Sequence, residues 1–339
     1  MTNPILVELT RGRLVESVHT GALAIARPGG EIVVALGDIQ RLVFPRSAVK
    51  ALQAIPLIES GAADRFGFGP AEIALACSSH SGTKRHAAVA AAMLQRAGLT
   101  PDALGCGAHD PSHEISARQL FAAGEKPTQL HNNCSGKHAG MLATSVHCGD
   151  AVAGYFKPDH AHQQRIVKVL AEFTGAPVSA EWVAVDGCSA PNWPLAVRDM
   201  ARAFARFVTG QGLSPDRAKA VGRIRDACWA EPELVAGPGR MDTIAMTRLG
   251  KRVFMKTGAE GVYCGGLPEL GLGFALKIDD GNKRASEAVV EALLQRCYAD
   301  AADLGALGPI RNWRGIEVGE TRVASIAARA LDGLVAAKA

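Results

Sequence analysis

The pattern that most limits what this chain can fold into is its division into strand-like ends and a helical middle. Ile5 to Leu9 is an apolar run with one acid. Leu14 to Ala26 alternates loosely through Val15, Val18, Gly21, Leu23 and Ile25, and Pro28-Gly29-Gly30 signals a turn before Glu31 to Leu36. From Ser47 to Ser60, Val49, Leu52, Ile55 and Leu57 take mostly helical spacing, with Pro56 expected to kink or end the first part. Helical patterns follow at Pro70 to Cys77, Lys84 to Ala97, Ser112 to Ala123, Ser135 to Cys148, Ala161 to Phe173 and Pro194 to Val208. Trp182 to Asp186 interrupts them as a short strand-like segment. Strand signals return at Lys251 to Thr257, Gly261 to Cys264 and Gly271 to Ile278, before a helix over Asn282 to Tyr298. The simplest architecture is an α/β (α+β) fold in which an antiparallel sheet from both termini is packed by helices, with an all-helical second lobe. The sheet lobe would take about residues 1–60 and 240–339, and the helical lobe about 61–239, of a single unit. A cleft between such lobes is a natural place for a small ligand.

Composition narrows the class. Of 339 residues, 48% are hydrophobic and 21% charged, as in ordinary globular proteins. The formal charge of +4 is scattered, with no run of five basic residues, so neither a nucleic-acid patch nor a membrane-binding helix is expected. The first residues carry no basic segment followed by a long apolar stretch, and no apolar run approaches the ~20 residues of a membrane span. A cytoplasmic location is therefore expected, with the eight cysteines as reduced thiols or metal ligands.

Five segments carry chemistry-bearing residues. Ser47-Ala48-Val49-Lys50 is a Ser-x-x-Lys, whose hydroxyl and amine share a helix face. A serine hydroxyl attacks well only after a base takes its proton, and a lysine of lowered pKa can be that base. The plainer reading of Ser47 is a helix N-cap, and Ser81-Gly82-Thr83-Lys84 repeats the spacing. Lys256-Thr257-Gly258 ends a strand-like run, Val253-Phe254-Met255. An early Ser-x-x-Lys and a late Lys-Thr-Gly occur in that order in β-lactamases and penicillin-binding proteins. Their Ser-Asp-Asn element is absent, and the hydroxyl-rich Cys77-Ser78-Ser79-His80-Ser81-Gly82 is the candidate to replace it. His131 to His138 and Asp186 to Asn192 are polar, glycine-bearing loops around Cys134-Ser135 and Cys188-Ser189. His138, Asp186 and the thiolates could form a zinc site, a Cys–His pair could be a nucleophile, or the thiols could be inert.

Taken together, Pro45 to Lys50, Cys77 to Gly82, Asn132-Asn133-Cys134-Ser135-Gly136-Lys137-His138-Ala139-Gly140, Asp186 to Pro191 and Met255 to Gly261 resemble the Rhizobium-type, class 3, L-asparaginases. The likeness runs from the N-terminal strands to Lys277, and the Asn-Asn-Cys-Ser-Gly-Lys-His block is its most specific part. The resemblance implies a serine β-lactamase-like fold and hydrolysis of L-asparagine to L-aspartate and ammonia. It puts the nucleophile at Ser47, its activating lysine at Lys50, and a second catalytic serine and lysine at Ser79 and Lys256. It implies one zinc ion per chain on Cys134, Lys137 and Cys188, and a carboxylate, Asp186, between metal and substrate. Arg46 and His138 are expected at the substrate with Asp186, although residue type alone favours His138 over Lys137 as the nitrogen ligand. A homodimer is the usual assembly for such folds. Glutamine differs from asparagine by one methylene, worth about 1–3 kcal/mol of discrimination, so a glutaminase or another serine amidase is the near alternative. A non-catalytic ligand sensor on the same fold, or a zinc- or thiol-dependent hydrolase, are the others.

Overall fold

A computed structural model describes residues 2–336. The chain divides into two compact units. One comprises Met1–Ala48, Leu195–Thr209 and Arg248–Ala339, and the other Val49–Pro194 and Gly210–Thr247.

The first unit is built on an eight-stranded antiparallel sheet. Its order is Gly308–Arg311, Glu317–Val323, Ile5–Arg11, Leu14–Ala26, Leu272–Ile278, Val262–Leu267 and Phe254–Thr257, and Ile32–Leu36 also pairs with Leu14–Ala26. The N-terminal strand thus lies between a C-terminal strand and its own hairpin partner, and the sheet is made from both ends of the chain, as the sequence pattern predicts. Leu23, Ala24, Ile25 and Ala26 are all buried. Successive strand residues face opposite ways, so both faces of the sheet are covered at this point.

Part of that cover is the helix Val197–Thr209, which buries Val197, Met200, Ala201, Phe204, Ala205 and Val208. Its arginines take the other side, and Arg206 Nε donates to the Pro28 carbonyl at 3.0 Å. Glycine sets how closely this helix approaches. Gly266 and Gly273 pair across two strands, and a Cβ at Gly273 would overlap the backbone of Ala201 and Ala205. A Cβ at Gly266 would lie 2.7 Å from Val208. Phe207 and Phe254 then pack with ring centroids 4.8 Å apart.

The strands Gly308–Arg311 and Glu317–Val323 and the helix Ser325–Ala336 carry no sequence signal that was read as such. The two strands consist of half-buried and exposed residues, so no buried face imposes an alternating pattern.

The second unit is helical apart from the two-residue strands Ala184–Val185 and Pro191–Asn192, of which the first falls within the expected interruption at Trp182 to Asp186 and the second lies beyond it. Pro56 sits in the first turn of a helix Ile55–Glu59, after a break that follows Lys50–Gln53. The proline is tolerated there because that turn lacks intrahelical N–H partners. The helix Pro215–Ala230 is charged around much of its circumference and shows no clear apolar stripe; its ends carry the signal instead, with Ser214 as N-cap and Pro215 behind it. At the centre lies Ser135–Cys148, in which every residue from Ser135 to Ser145 is buried. A helix that is small or apolar all round belongs inside.

Replacing Gly273 with Ala should destabilise the protein by about 1–3 kcal/mol, the usual cost of overpacking. Gly29, whose Cβ would meet nothing within 4 Å, is the control. Urea midpoints of Gly273→Ala and Gly29→Ala, compared with the parent, check the difference.

Candidate active site

The helical unit gathers most of the candidate residues at one close contact. Helix Pro70–Ala76 leads into Cys77, Ser78 and Ser79, and helix Ser135–Cys148 follows Cys134. A Cβ at Gly136 would overlap the Leu75 carbonyl, and one at Gly140 would lie 3.1 Å from Ala76 Cβ. The two backbones therefore touch, and the end of one helix is held beside the start of the other. Backbone bonds fasten the loop after the first: Ser79 N–H donates to Val235 O at 3.0 Å and His80 N–H to Asn133 O at 3.1 Å. Asn132 does the same for the second, its Oδ1 accepting from Cys134 N–H at 2.8 Å and its Nδ2 donating to Cys106 O at 2.8 Å.

Lys50 lies across this contact. It is 1% exposed, and its amine donates to the Ser78 carbonyl at 2.6 Å and to Cys134 Sγ at 3.1 Å. Lys137, one turn further along the second helix, donates to Cys188 Sγ at 3.0 Å. Cys188 follows Asp186, whose Oδ2 lies 4.0 Å from its sulfur. His138 is fully buried; its Nδ1 is 2.5 Å from Tyr155 Oη, and among the described residues its Nε2 has no hydrogen-bond partner. Its ring meets that of Tyr155 edge-on, with centroids 5.4 Å apart.

The thiols divide their charge unequally. The hydrogen bond from Cys134, followed by the Lys137 ammonium and His138, holds Cys188 far below an ordinary thiol, against the effect of burial. Cys134 is held above its ordinary value by that same hydrogen bond and by burial. Burial works against the Lys137 charge, but Cys188 and Cys134 outweigh it and raise the amine. Burial lowers His138 to about 4. Cys188 and Lys137 are thus a buried, hydrogen-bonded pair in which each favours the charged form of the other.

Two sulfurs and a nitrogen converging in a buried site suit a zinc ion, whose usual ligands are of this kind. Among the described residues, no three His, Cys, Asp or Glu side chains converge, so the set reaches three ligands only through the lysine. His138, Asp186 and the thiols therefore do not form such a group. Sequence reading missed Tyr155, an isolated aromatic in a loop with no motif around it. Cys106, one of the eight cysteines expected as reduced thiols or metal ligands, is a free buried thiol that burial pushes up to about 12.

Three candidates belong to the sheet unit. Ser47 sits on the 3₁₀ turn Arg46–Val49, and Lys256 on the strand Phe254–Thr257, where it is fully buried and donates to Thr257 O at 2.9 Å. Gly258 brings the two segments together, since its Cβ would lie 2.9 Å from the Pro45 carbonyl. Arg46 has φ +52°, and Ser189, beside Cys188, has φ +69°. Both are non-glycine residues in left-handed conformations, a strain that tends to persist at functional sites.

The sequence matches the L-asparaginase II family over residues 7–323, and the chain belongs to that family. It is a hydrolase that acts on amide carbon–nitrogen bonds. No curated protein matches it. Among solved structures, one of a protein called Mglu aligns over 84% of this chain and 68% of its own, at 14% identity and a TM-score of 0.44. Its native form aligns over 79% of this chain and 62% of its own, at 14% identity and a TM-score of 0.39. A beta-lactamase from Mycobacterium bovis aligns over 83% and 94%, at 12% identity and a TM-score of 0.42. Among the described residues, no helix is long and apolar enough to cross a membrane.

Beneath the Ser79 loop, His80 and His86 are buried and stacked, with centroids 4.6 Å apart. Burial lowers His80 well below its ordinary value and His86 to about 4. Each is neutral in the fold, while the unfolded chain takes up a proton near pH 6.5. The unfolded state then binds more protons, so stability falls as pH drops from about 6.5 towards 4, by up to about 1.4 kcal/mol per pH unit for each histidine. Urea midpoints of wild type and His86→Gln, taken between pH 7 and 4, should show a shallower decline in the variant.

Proposed function

We propose that the protein is an L-asparaginase in which Ser47 is the nucleophile and Lys50 its base. What carries this reading is the buried Lys50 amine, bonded to the carbonyl of Ser78 immediately before Ser79. A lysine amine can act as the base for a serine hydroxyl. Lys50 takes the Ser47 proton, and Ser47 attacks the side-chain amide carbon of asparagine. Backbone N–H groups stabilise the oxyanion. Ser79 and Lys256 deliver a proton to the departing ammonia, and water then cleaves the acyl-enzyme. Arg46 and Asp186 meet the polar groups of the substrate.

Cys134, Lys137 and Cys188 would hold one zinc ion, which would supply a fixed positive charge that shapes the pocket and favours an anionic substrate group. The protein's own part is to give up the protons of Cys134 and Lys137, since only the thiolate and the neutral amine can bind. A cytoplasmic location and a homodimer belong to the same reading.

Ammonia release from L-asparagine should disappear in Ser47→Ala, with kcat reduced at least about 10³-fold, while asparagine still binds. Turnover of L-glutamine should be slower than that of L-asparagine. Wild-type-like rates in Ser47→Ala, combined with loss in Cys188→Ala, would instead favour a thiol- or metal-dependent hydrolase. Asparagine binding without turnover of any amide would favour a sensor. Purified wild-type protein dialysed against zinc should retain one ion per chain by elemental analysis, and Cys188→Ala should retain essentially none.

A further inference from the structure

Tyr155 is 1% exposed, and its hydroxyl has two neighbours. Gly105 N–H donates to Tyr155 Oη at 2.9 Å, and His138 Nδ1 lies 2.5 Å from the same oxygen. Among the described residues, Oη has no other acceptor for its own proton. A buried hydroxyl that already accepts from a backbone N–H must donate to the partner that remains. The proton between Tyr155 and His138 is therefore the phenol's, and Nδ1 is the acceptor. An imidazolium, or a neutral ring protonated on Nδ1, would leave the Tyr155 proton buried with nothing to bond.

Which ring nitrogen of a histidine carries the proton is set by the bond the other one makes. With Nδ1 accepting, the proton of a neutral His138 is on Nε2. That atom is buried and has no hydrogen-bond partner among the described residues. We propose that Tyr155 is a positioning residue that locks His138 in its Nε2–H tautomer and so leaves the nitrogen position at the metal to Lys137. Only the last clause rests on the zinc reading above.

The local packing fits a lock. The rings of Tyr155 and His138 meet edge-on, with centroids 5.4 Å apart and planes at 82°, and Phe156 packs edge-on against Tyr155 at 5.3 Å. Gln163 Nε2 holds the Tyr155 carbonyl at 3.0 Å. A Cβ at Gly105 would lie 2.5 Å from the Phe156 ring, so glycine lets that ring and the donating N–H share one place. The arrangement also gives a reason for a lysine ligand beside a histidine. With Nε2 protonated and Nδ1 bonded to Tyr155, neither ring nitrogen of His138 offers a free lone pair.

The test is a long-range ¹⁵N–¹H correlation spectrum of the full chain carrying ¹⁵N-histidine, with and without zinc, for wild type, Tyr155→Phe and His138→Gln. His138→Gln assigns the signal. Wild type should show the Nε2–H pattern for His138 in both states, and Tyr155→Phe should show a mixture of tautomers. An Nδ1–H or imidazolium pattern in metal-free wild type overturns the proposal, whatever the metal does. Zinc affinity is measured alongside by competition with a chelator. Tyr155→Phe and His138→Ala should each weaken it about 10–100-fold, the usual effect of losing a group that supports a ligand. Unchanged affinity in both removes the role at the metal. If wild type binds no zinc at all, the zinc reading fails, and the tautomer is judged from the metal-free spectrum alone.

Discussion

The candidate site in the helical unit depends on one close backbone contact, at Gly136 and Gly140 against Leu75 and Ala76. Ordinary helix pairs are kept 8–10 Å apart by their side chains. Glycine removes that spacing here, so the loop of Ser78 and Ser79 sits directly beside Cys134, Lys137 and His138. Lys50 then reaches from a third segment to both, with one bond to Ser78 and one to Cys134. A single Cβ at Gly136 would separate these groups even though it touches none of them.

The same contact explains how so much polarity is tolerated inside. Two lysines, two thiols and two histidines lie buried within a short stretch of packing. Burial of a charge is expensive unless it is paired and hydrogen-bonded. Lys137 and Cys188 meet that condition as a hydrogen-bonded pair, and His80 and His138 meet it by remaining neutral. Strained residues stand next to two candidate groups, Arg46 before Ser47 and Ser189 after Cys188. The fold holds these groups in conformations that their sequences alone would not choose.

Much of this was legible in advance, and the exceptions share a cause. Ser135–Cys148 was read to the residue, because small and apolar side chains fill it and a glycine closes it. Leu14–Ala26 was read as one strand for a similar reason. The strands at Gly308–Arg311 and Glu317–Val323 escaped notice because they bury little. Periodicity records burial and is silent about strands held mainly by backbone pairing. Chemistry followed the same rule. Ser47 and Lys50 stood out as a short motif, and Cys134 and Cys188 as thiols in polar, glycine-bearing loops, whereas Lys137 came only with the family resemblance. Tyr155 did not stand out, because what matters about it is a partner far away in sequence.

The sequence by itself determined the antiparallel sheet from both termini, the helical segment between, and the residue types from which an amide hydrolase is made. These follow from local pattern, which needs no knowledge of partners. Only the tertiary structure decided which groups share a charge or a proton. It put Lys50 on Ser78 and Cys134, paired Lys137 with Cys188, and turned His138 towards Tyr155. Burial and hydrogen bonding set the charge and tautomer of a side chain, and both depend on neighbours brought together by folding.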